Sequence, residues 1–420
     1  MPPAPPSPSP SAWTNPAFRN VWAALTVSLV GTQVTTLALP LLAALTLQAT
    51  PQQMGALAAS ELVPWLLFSL FTGAWVDHIR EKRVLMIWMD VLRAVLLLSI
   101  PITASLHLLT FAQLYVVAFT VGTMRVFYEV AEGSYVPSIL SNEQILDGNS
   151  RLQVSYSAAG AAGPGIGGLL VQWLGAPVAL IVDTLSYLVS AYFLGRIRIL
   201  NPQATTLPPL NLLQDVQEGL RFLLTHPLLG PWAIWGTPLV FFTGAFDAQY
   251  ILFLTRELHL NAGWIGLIAA AGGAAALAAA FLTTRLAQWL PVGPTILLGN
   301  VVWIFTLLVV PFLHGSVTFN IGVLALARIV FGLTFTVANV QQWSLRQLVT
   351  PPHLRGRVSA SYRFLVNSGS ALGAVAGGLV AARLGLRVSL IAFCVCALVF
   401  FIPLFFKPIW QLKTMPQAAA

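Results

Sequence analysis

Apolar runs of about 20 residues recur along the whole chain, and short polar connections separate them. A helix of that length crosses the hydrocarbon core of a bilayer. The runs lack the alternation of apolar and polar residues that marks the strands of a membrane barrel. The pattern therefore predicts an all-α integral membrane protein with twelve transmembrane helices. The predicted spans are 18–46, 52–76, 84–105, 108–135, 148–172, 176–198, 228–256, 263–285, 292–312, 316–343, 355–382 and 386–407.

A glycine-rich stretch inside the fifth span contains Gly163, Pro164, Gly167 and Gly168. Small residues three and four apart give a membrane helix a flat face on which a neighbouring helix packs closely. Proline is expected to bend this helix because it lacks an N–H group. The same spacing of glycines returns at 373–378, and 373 − 163 = 210 is half of the 420 residues. We therefore expect two pseudo-symmetric six-helix halves.

The predicted organisation has five parts, which follow from the spans and from the composition between them. They are a disordered Pro-rich tail at 1–17, an N-terminal half at 18–198, a linker at 199–227, a C-terminal half at 228–407 and a tail at 408–420. Leucines at helical spacing in the linker predict an amphipathic helix on the membrane surface. Transporters with two such halves bind substrate between them near the midplane and alternate the access to it.

Composition excludes a water-soluble globule, because 57% of the residues are hydrophobic and only 8% are charged. A soluble domain carries about 25% charged residues. The net charge of +8 is spread along the chain rather than gathered on one soluble face, so it does not indicate nucleic-acid binding. Most basic residues fall in alternate connections and at the termini. The positive-inside rule then places both termini and the linker in the cytoplasm.

In the connection between the second and third spans, an acid at the helix end is followed by a cluster of basic residues. The residues concerned are Gly73, Asp77, Arg80, Lys82 and Arg83. An acid at a helix end can accept hydrogen bonds from basic side chains or from the start of an adjacent helix. We interpret this connection as a cytoplasmic gating loop. The alternative is a solvated loop that only sets the topology.

Charged residues inside a bilayer are costly, so each is a functional candidate. Glu61 in the second span and Asp247 in the seventh could exchange protons and couple transport to proton entry. The alternatives are a structural partner for Glu61 and an outer-surface position for Asp247. Arg125 and Glu129 lie one turn apart and could pair on their helix. We include both as coupling candidates, with Arg328 as a weaker one.

Asp90 and Arg93 also lie one turn apart, and for them a structural ion pair is the favoured interpretation.

Several of these motifs resemble the major facilitator superfamily. The connection Gly73-x-x-x-Asp77 with its basic cluster is similar to the loop signature of that superfamily, and Gly163-Pro164-x-x-Gly167-Gly168 resembles its antiporter helix motif. A narrower resemblance is to the macrolide-efflux and enterobactin-exporter-like branch of drug:proton antiporters. It rests on Phe18-Arg19-x-x-Trp22, Asp90-x-x-Arg93-Ala94, Tyr128-Glu129-x-Ala131, Val136-Pro137, Leu146-x-x-Asn149-x-x-x-Gln153, Asp183-x-x-Ser186-Tyr187, Glu218-Gly219-Leu220-Arg221-Phe222 and Arg355-Gly356-Arg357-Val358.

Three departures from the family pattern accompany the resemblance. Arg80 replaces the residue usual at the turn of the loop, and Glu81 interrupts its basic run. Thr32 stands where relatives often carry an acid in the first span. Tyr128 and Glu129 replace the glutamine-glycine pair that usually follows the arginine of the fourth span.

The resemblance implies the major facilitator fold, in which the first, fourth, seventh and tenth spans line the substrate cavity. The cavity candidates are Gln33, Thr36, Tyr128, Phe242, Phe246, Tyr250, Asn339 and Gln342. Aromatic and amide side chains suit a bulky amphipathic solute. The alternative for any one aromatic ring is that it faces lipid or packs between helices.

The function that this implies is secondary active efflux of hydrophobic or amphipathic small molecules, coupled to protons, by a monomer in a bacterial cytoplasmic membrane. The chain has no phosphate-binding loop, so we expect no ATP hydrolysis, and no enzymatic activity. Scattered histidines and cysteines predict no metal site, and we expect no cofactor. The alternatives are a same-fold transporter of a specific metabolite, siderophore or lipid, and a non-transporting membrane receptor or scaffold.

Overall fold

The computed structural model describes residues 11–197, 212–286, 289–351 and 354–416. These residues form thirteen α-helices and short 3-10 and π turns, with no strand among them. In chain order the helices are α1 (Pro16–Leu41), α2 (Pro51–Asp77), α3 (Lys82–Ser105), α4 (Phe111–Ser138), α5 (Ile145–Leu174), α6 (Ala176–Gly195), α7 (Leu212–Thr225), α8 (Leu229–Arg256), α9 (Ala262–Leu286), α10 (Val292–Val309), α11 (Val317–Val349), α12 (Arg355–Leu384) and α13 (Leu386–Phe401).

Ten of the described helices have the length and apolar composition needed to cross a membrane. Together with α2 and α5 they make two bundles of six, and α7 lies in the connection between the bundles. Each predicted span overlaps one of these twelve helices. The predicted fold class is confirmed.

The two halves repeat the same helix boundaries with the offset that the glycine pattern predicts. Helices α5 and α12 both span 30 residues and begin 210 residues apart (355 − 145 = 210). Each ends at a glycine with positive φ, Gly175 at 82° and Gly385 at 83°, and the next helix begins at once. Only glycine adopts this conformation without strain. The same glycine turn therefore occurs once in each half.

Both ends of the described chain lie at one end of the bundle, which we name the terminal face. It includes the connections at 78–81, 139–144 and 289–291. The opposite end, the distal face, includes the connections at 47–50, 106–110 and 257–261 together with the two glycine turns. Helix α5 of the N-terminal half packs on α9 of the C-terminal half, and α2 packs on α12 in the same way.

The glycines of α5 pack against two different neighbouring helices. A Cβ at Gly163 would lie 2.4 Å from the Gln33 Cβ of α1, and one at Gly167 would lie 3.1 Å from the Cα of Val34. A Cβ at Gly168 would instead lie 2.6 Å from the Cα of Gly266 on α9, in the other half. The helix continues through Pro164 without interruption.

The second copy of the stripe makes the equivalent contacts. Gly373 and Gly377 abut the backbone of α8 within their own half, and Gly378 abuts Pro51 at the start of α2 in the other half. The glycine stripes thus pack each half internally and also hold the two halves together near the distal face.

Two buried apolar clusters show where the halves join. One cluster, which includes Phe18, Leu152 and Leu194, contains residues of the N-terminal half near the terminal face. The larger cluster joins both halves and includes Leu37 with Phe253. The distal ends of the two bundles therefore share a core.

The N-terminal segment Ser11–Asn15 packs on the start of α5, inside the stretch for which the sequence predicted a disordered tail. The backbone N–H of Ala12 donates to Asp147 (2.7 Å), and the Asn15 amide donates to the carbonyl of Ile139 (2.6 Å). These bonds attach the part of the tail after residue 10 to α5 and to the end of α4. Residues 1–10 lie outside the described residues.

Candidate functional site

A buried ion pair lies inside the N-terminal bundle. Arg93 donates to the carboxylate of Asp90 one turn earlier on α3, and both side chains are almost fully enclosed. Ser190 of α6 donates to the second carboxylate oxygen of Asp90 (2.6 Å). The Arg93 guanidinium lies over the rings of Tyr128 (4.5 Å) and Tyr187 (4.4 Å). This favours the structural interpretation of the pair, because its charge is satisfied within the bundle.

The same network reaches α1 through α6. Asp183 accepts hydrogen bonds from Thr35 of α1 and from Ser186 (2.9 Å) on its own helix. The Tyr187 hydroxyl bonds to Thr32 at 3.1 Å. Burial of these polar groups is tolerated because each has a partner. The network joins α1, α3, α4 and α6 into one unit.

A second ion pair on α4 is partly open to solvent. The Arg125 Nε donates to Glu129 Oε1 at 2.7 Å, and the two side chains are 43% and 32% exposed. Glu61 of α2 is the next acid in the electrostatic surroundings of Arg125. Charged groups exposed within a span face a water-filled space rather than lipid. The structure thus brings together three of the four predicted coupling residues.

The fourth coupling candidate, Asp247, lies on α8 in the other half and is exposed. Arg328 of α11 acts on its carboxyl group electrostatically. The Arg328 guanidinium stacks over the Tyr250 ring at 4.6 Å. These residues of α8 and α11 lie in the C-terminal half, apart from the α4 site.

Sequence reasoning missed Glu132, which lies three residues after Glu129 on α4. Only 8% of it is exposed. The hydroxyl of Tyr156 on α5 donates to its carboxylate oxygens at 3.0 and 3.3 Å. The signal was present in the sequence, since Glu132 is an acid within a predicted span.

The predicted cavity residues have different surroundings. Thr36 and Asn339 are exposed, whereas Gln33, Phe242 and Gln342 are half-buried. Tyr128 lies beneath Arg93, and Phe246 stacks on Tyr250 with ring centroids 5.8 Å apart; all three of Tyr128, Phe246 and Tyr250 are buried. The buried three are enclosed by helix packing in this conformation.

The predicted gating loop lies between α2 and α3 at the terminal face. The structure does not describe the surroundings of Gly73 or of the Asp77 side chain, so the predicted contacts of Asp77 stay a prediction. Arg80 is exposed, and Lys82 begins α3. The Arg83 guanidinium donates to the carbonyl of Ile197 just after α6. Within the described residues, no group of His, Cys, Asp and Glu side chains is arranged to hold a metal ion.

Comparison with known proteins assigns this helical arrangement to a family. The family model described as transmembrane secretion effector matches residues 8–419. The chain belongs to this major facilitator family. It is therefore a multi-pass membrane transporter of small molecules and not an enzyme.

Similar members of the superfamily include two exporters. The multidrug efflux pump Tap of Mycolicibacterium fortuitum is 26% identical, with 90% of this chain and 92% of that protein covered. The enterobactin exporter EntS of Citrobacter koseri is 24% identical, with 87% and 86% covered. Among solved structures, a variant of the nucleoside transporter NupG has a TM-score of 0.75 at 13% identity, with 93% of this chain and 99% of that one covered. That last likeness concerns the fold.

Proposed function

We propose that this major facilitator protein exports hydrophobic or amphipathic small molecules across a bacterial cytoplasmic membrane in exchange for protons. The observation that carries the proposal is the partly exposed cluster of Arg125, Glu129 and Glu61 within the membrane-spanning bundle. Acidic side chains that face a water-filled space inside the membrane are typical of proton relays in transporters. The family membership and the likeness to an efflux pump support the export direction.

The distal contacts suggest how access would alternate. In our proposal the terminal face is cytoplasmic, in line with the positive-inside rule. Substrate would enter between the halves from that side. Release on the other side requires the Gly168–Gly266 and Gly378–Pro51 contacts to separate. Protonation of the carboxylates would favour one of the two arrangements and so drive the exchange.

A second candidate is an exporter of one particular metabolite, such as a siderophore. The likeness to the enterobactin exporter EntS favours it. Competition would separate the two functions. A broad exporter is inhibited by several chemically unrelated amphipathic compounds, whereas a dedicated one responds to a single chemical class.

Proton coupling is tested with everted membrane vesicles and ethidium, a planar aromatic cation. We expect energised vesicles to take up ethidium and a protonophore to abolish the uptake. Glu61→Gln and Asp247→Asn should each lower gradient-driven uptake by about tenfold or more, the effect of losing about 1.4 kcal/mol of coupling. Binding of ethidium to the purified variants should stay unchanged, because the amides keep the shape of the side chains.

Glu143→Gln is the matched control, because Glu143 is an exposed acid in the connection between α4 and α5. It should transport as the unmodified protein does. Uptake that persists after the proton gradient is collapsed would exclude proton coupling. Full activity in both Glu61→Gln and Asp247→Asn, and in the double variant, would remove these two carboxylates from the mechanism.

A further inference from the structure

The carboxyl group of Glu132 is a buried acid to which the proposed function gives no role. It lies in the membrane-spanning part of α4 and is only 8% exposed. The neutral hydroxyl of Tyr156 is its hydrogen-bond donor. Within the described residues, no lysine or arginine forms an ion pair with it. An ionised carboxylate in such a place is costly, and the group binds a proton readily instead.

The charged groups around Glu132 are already engaged elsewhere. On its own helix, Glu129 is paired with Arg125. From α3, Asp90 and Arg93 face it at longer range and are paired with each other.

On α2, Glu61 faces Arg125 rather than Glu132. From α5, the facing group is the Tyr156 phenol, and Tyr128 on α4 itself lies beneath Arg93. Among the described residues, the cations near Glu132 are thus each paired with another acid.

The second half of the chain offers an internal comparison. The position 210 residues later holds Gln342, and its amide donates to the hydroxyl of Tyr362 on the following helix at 2.9 Å. An uncharged amide thus bonds a tyrosine of the next helix in one half, as the carboxyl group does in the other. Holding the helices together does not require an acid at this position. What the acid adds is the capacity to gain and lose a proton.

Tyr156 connects this buried acid to solvent and to the contact between the halves. The residue is 39% exposed, and Glu129 and Arg125 also act on it electrostatically, so it lies beside the partly open ion pair of α4. One turn further along α5, Gly160 and Ala161 contact the backbone of Gly273 on α9. Helix α4 packs on α2 and α3, whereas α5 packs on α1 and α9. The Glu132–Tyr156 bond thus crosses between these two sets of helices.

We propose that Glu132 is a proton-binding site and that Tyr156 is the group through which the proton passes to and from water. When Glu132 is ionised, the phenol O–H donates to the carboxylate. When a proton from water reaches the phenol oxygen, the phenol's own hydrogen passes along the hydrogen bond to the carboxylate oxygen, so the phenol loses one O–H bond and gains another. The new carboxyl O–H then donates to the phenol oxygen, and the new phenol hydrogen points to water. The role in transport rests on the proposed function, whereas proton binding at Glu132 does not.

The proton site is tested by pH-difference infrared spectroscopy of the purified full chain in lipid nanodiscs. Glu132→Gln should lose one protonated-carboxyl C=O band that the unmodified protein shows, and Glu143→Gln should retain it. Glu132→Asp should keep a titrating band, because it keeps a carboxyl group. Tyr156→Phe should move the band to higher frequency, because the hydrogen bond from the protonated carboxyl group to the phenol oxygen is lost. Gln342 shows that an amide fits the equivalent position, so we expect Glu132→Gln to fold.

An unchanged set of carboxyl bands in Glu132→Gln would overturn the proton site. Transport separates this result from the fate of the proposed function. Glu132→Gln should lose at least about tenfold in proton-driven ethidium uptake, the effect of about 1.4 kcal/mol. It should retain ethidium exchange without a gradient.

Loss of the infrared band together with normal proton-driven uptake would overturn the role of Glu132 in coupling. If the unmodified protein shows the band but no proton-driven uptake, the site is upheld and the proposed function fails.

Discussion

Asp90→Ala is expected to destabilise the protein by about 3–5 kcal/mol, the usual cost of removing one partner of a buried ion pair. The substitution leaves the Arg93 guanidinium between two tyrosine rings without its carboxylate. It also removes the acceptor of the Ser190 hydroxyl. Three helices of the N-terminal bundle therefore lose a shared contact. Thermal unfolding of the purified protein, followed by size-exclusion chromatography or fluorescence, measures the loss.

The matched control is Asp147→Ala, which removes the acid of an exposed pair on α5. Arg151 and Asp147 are 31% and 34% exposed and 2.9 Å apart. Water screens such a pair, and the Ala12 N–H group that also loses its acceptor can bond to water instead, so this substitution should lower the unfolding temperature much less than Asp90→Ala does. Equal losses in Asp90→Ala and Asp147→Ala would show that burial does not set the strength of the Asp90–Arg93 pair.

The Asp147–Arg151 pair of the control keeps its charges over a wide pH range. The hydrogen bond from Arg151, followed by that from the Ala12 N–H group, lowers the pKa of Asp147 below its ordinary value. A carboxylate with a lowered pKa contributes stability above its unfolded pKa and loses it as the pH falls through the folded pKa. Asp147 therefore stays paired with Arg151 at about pH 5 to 8.

Gly168→Ala should push the two halves apart at the distal face. The added Cβ would lie 2.6 Å from the Cα of Gly266 and 2.7 Å from the carbonyl oxygen of Ala262. Both are backbone atoms, which cannot move aside as a flexible side chain can. Overpacking of this kind costs about 1–3 kcal/mol. The arrangement closed at the distal face should lose population by about 5- to 150-fold relative to the open one.

Thiol labelling measures that shift. Ala59 packs with Ala248 and Ala374 between the halves, so Ala59→Cys in a background lacking Cys394 and Cys396 reports the distal opening. A maleimide should label it faster in Gly168→Ala.

The control for this substitution is Gly160→Ala, eight residues earlier on α5. A Cβ at Gly160 meets no atom within 4 Å. Both substitutions gain the same helix propensity, about 1 kcal/mol, so that effect cancels in the comparison. Equal labelling rates in the two variants would show that the Gly168–Gly266 contact does not control access.

The sequence predicted the features that depend on local spacing. Apolar runs predicted the helices, and the repeated glycines predicted both the duplication and the close packing on α5 and α12. Asp90 and Arg93 lie one turn apart, so their pairing was also predictable. Which neighbour each glycine contacts was not, because Gly167 and Gly168 are adjacent in sequence but face α1 and α9 respectively.

The rest of the candidate site depends on contacts between distant parts of the chain. Ser190 lies 100 residues from Asp90, and Asp183 lies 148 residues from Thr35. Spacing along one helix carries no information about such partners. Glu132 was missed for the same reason, because its importance becomes visible through Tyr156 on another helix. The roles of Glu61, Asp247, Arg125 and Glu129 in coupling stay predictions.

The 210-residue repeat allows residues of the first half to be compared with their equivalents in the second half. The buried residues at equivalent positions differ in chemical type. Asp90, Arg93 and Asp183 correspond to Asn300, Trp303 and Phe393. Trp303 packs on Phe335, with ring centroids 4.9 Å apart, and Phe393 packs on Phe242.

One half thus fills its interior with an ion pair and a hydrogen-bonded acid, and the other fills the equivalent positions mostly with aromatic rings. Substitutions are therefore limited differently in the two halves. In the first they must keep hydrogen-bond and charge partners, whereas in the second they must keep volume.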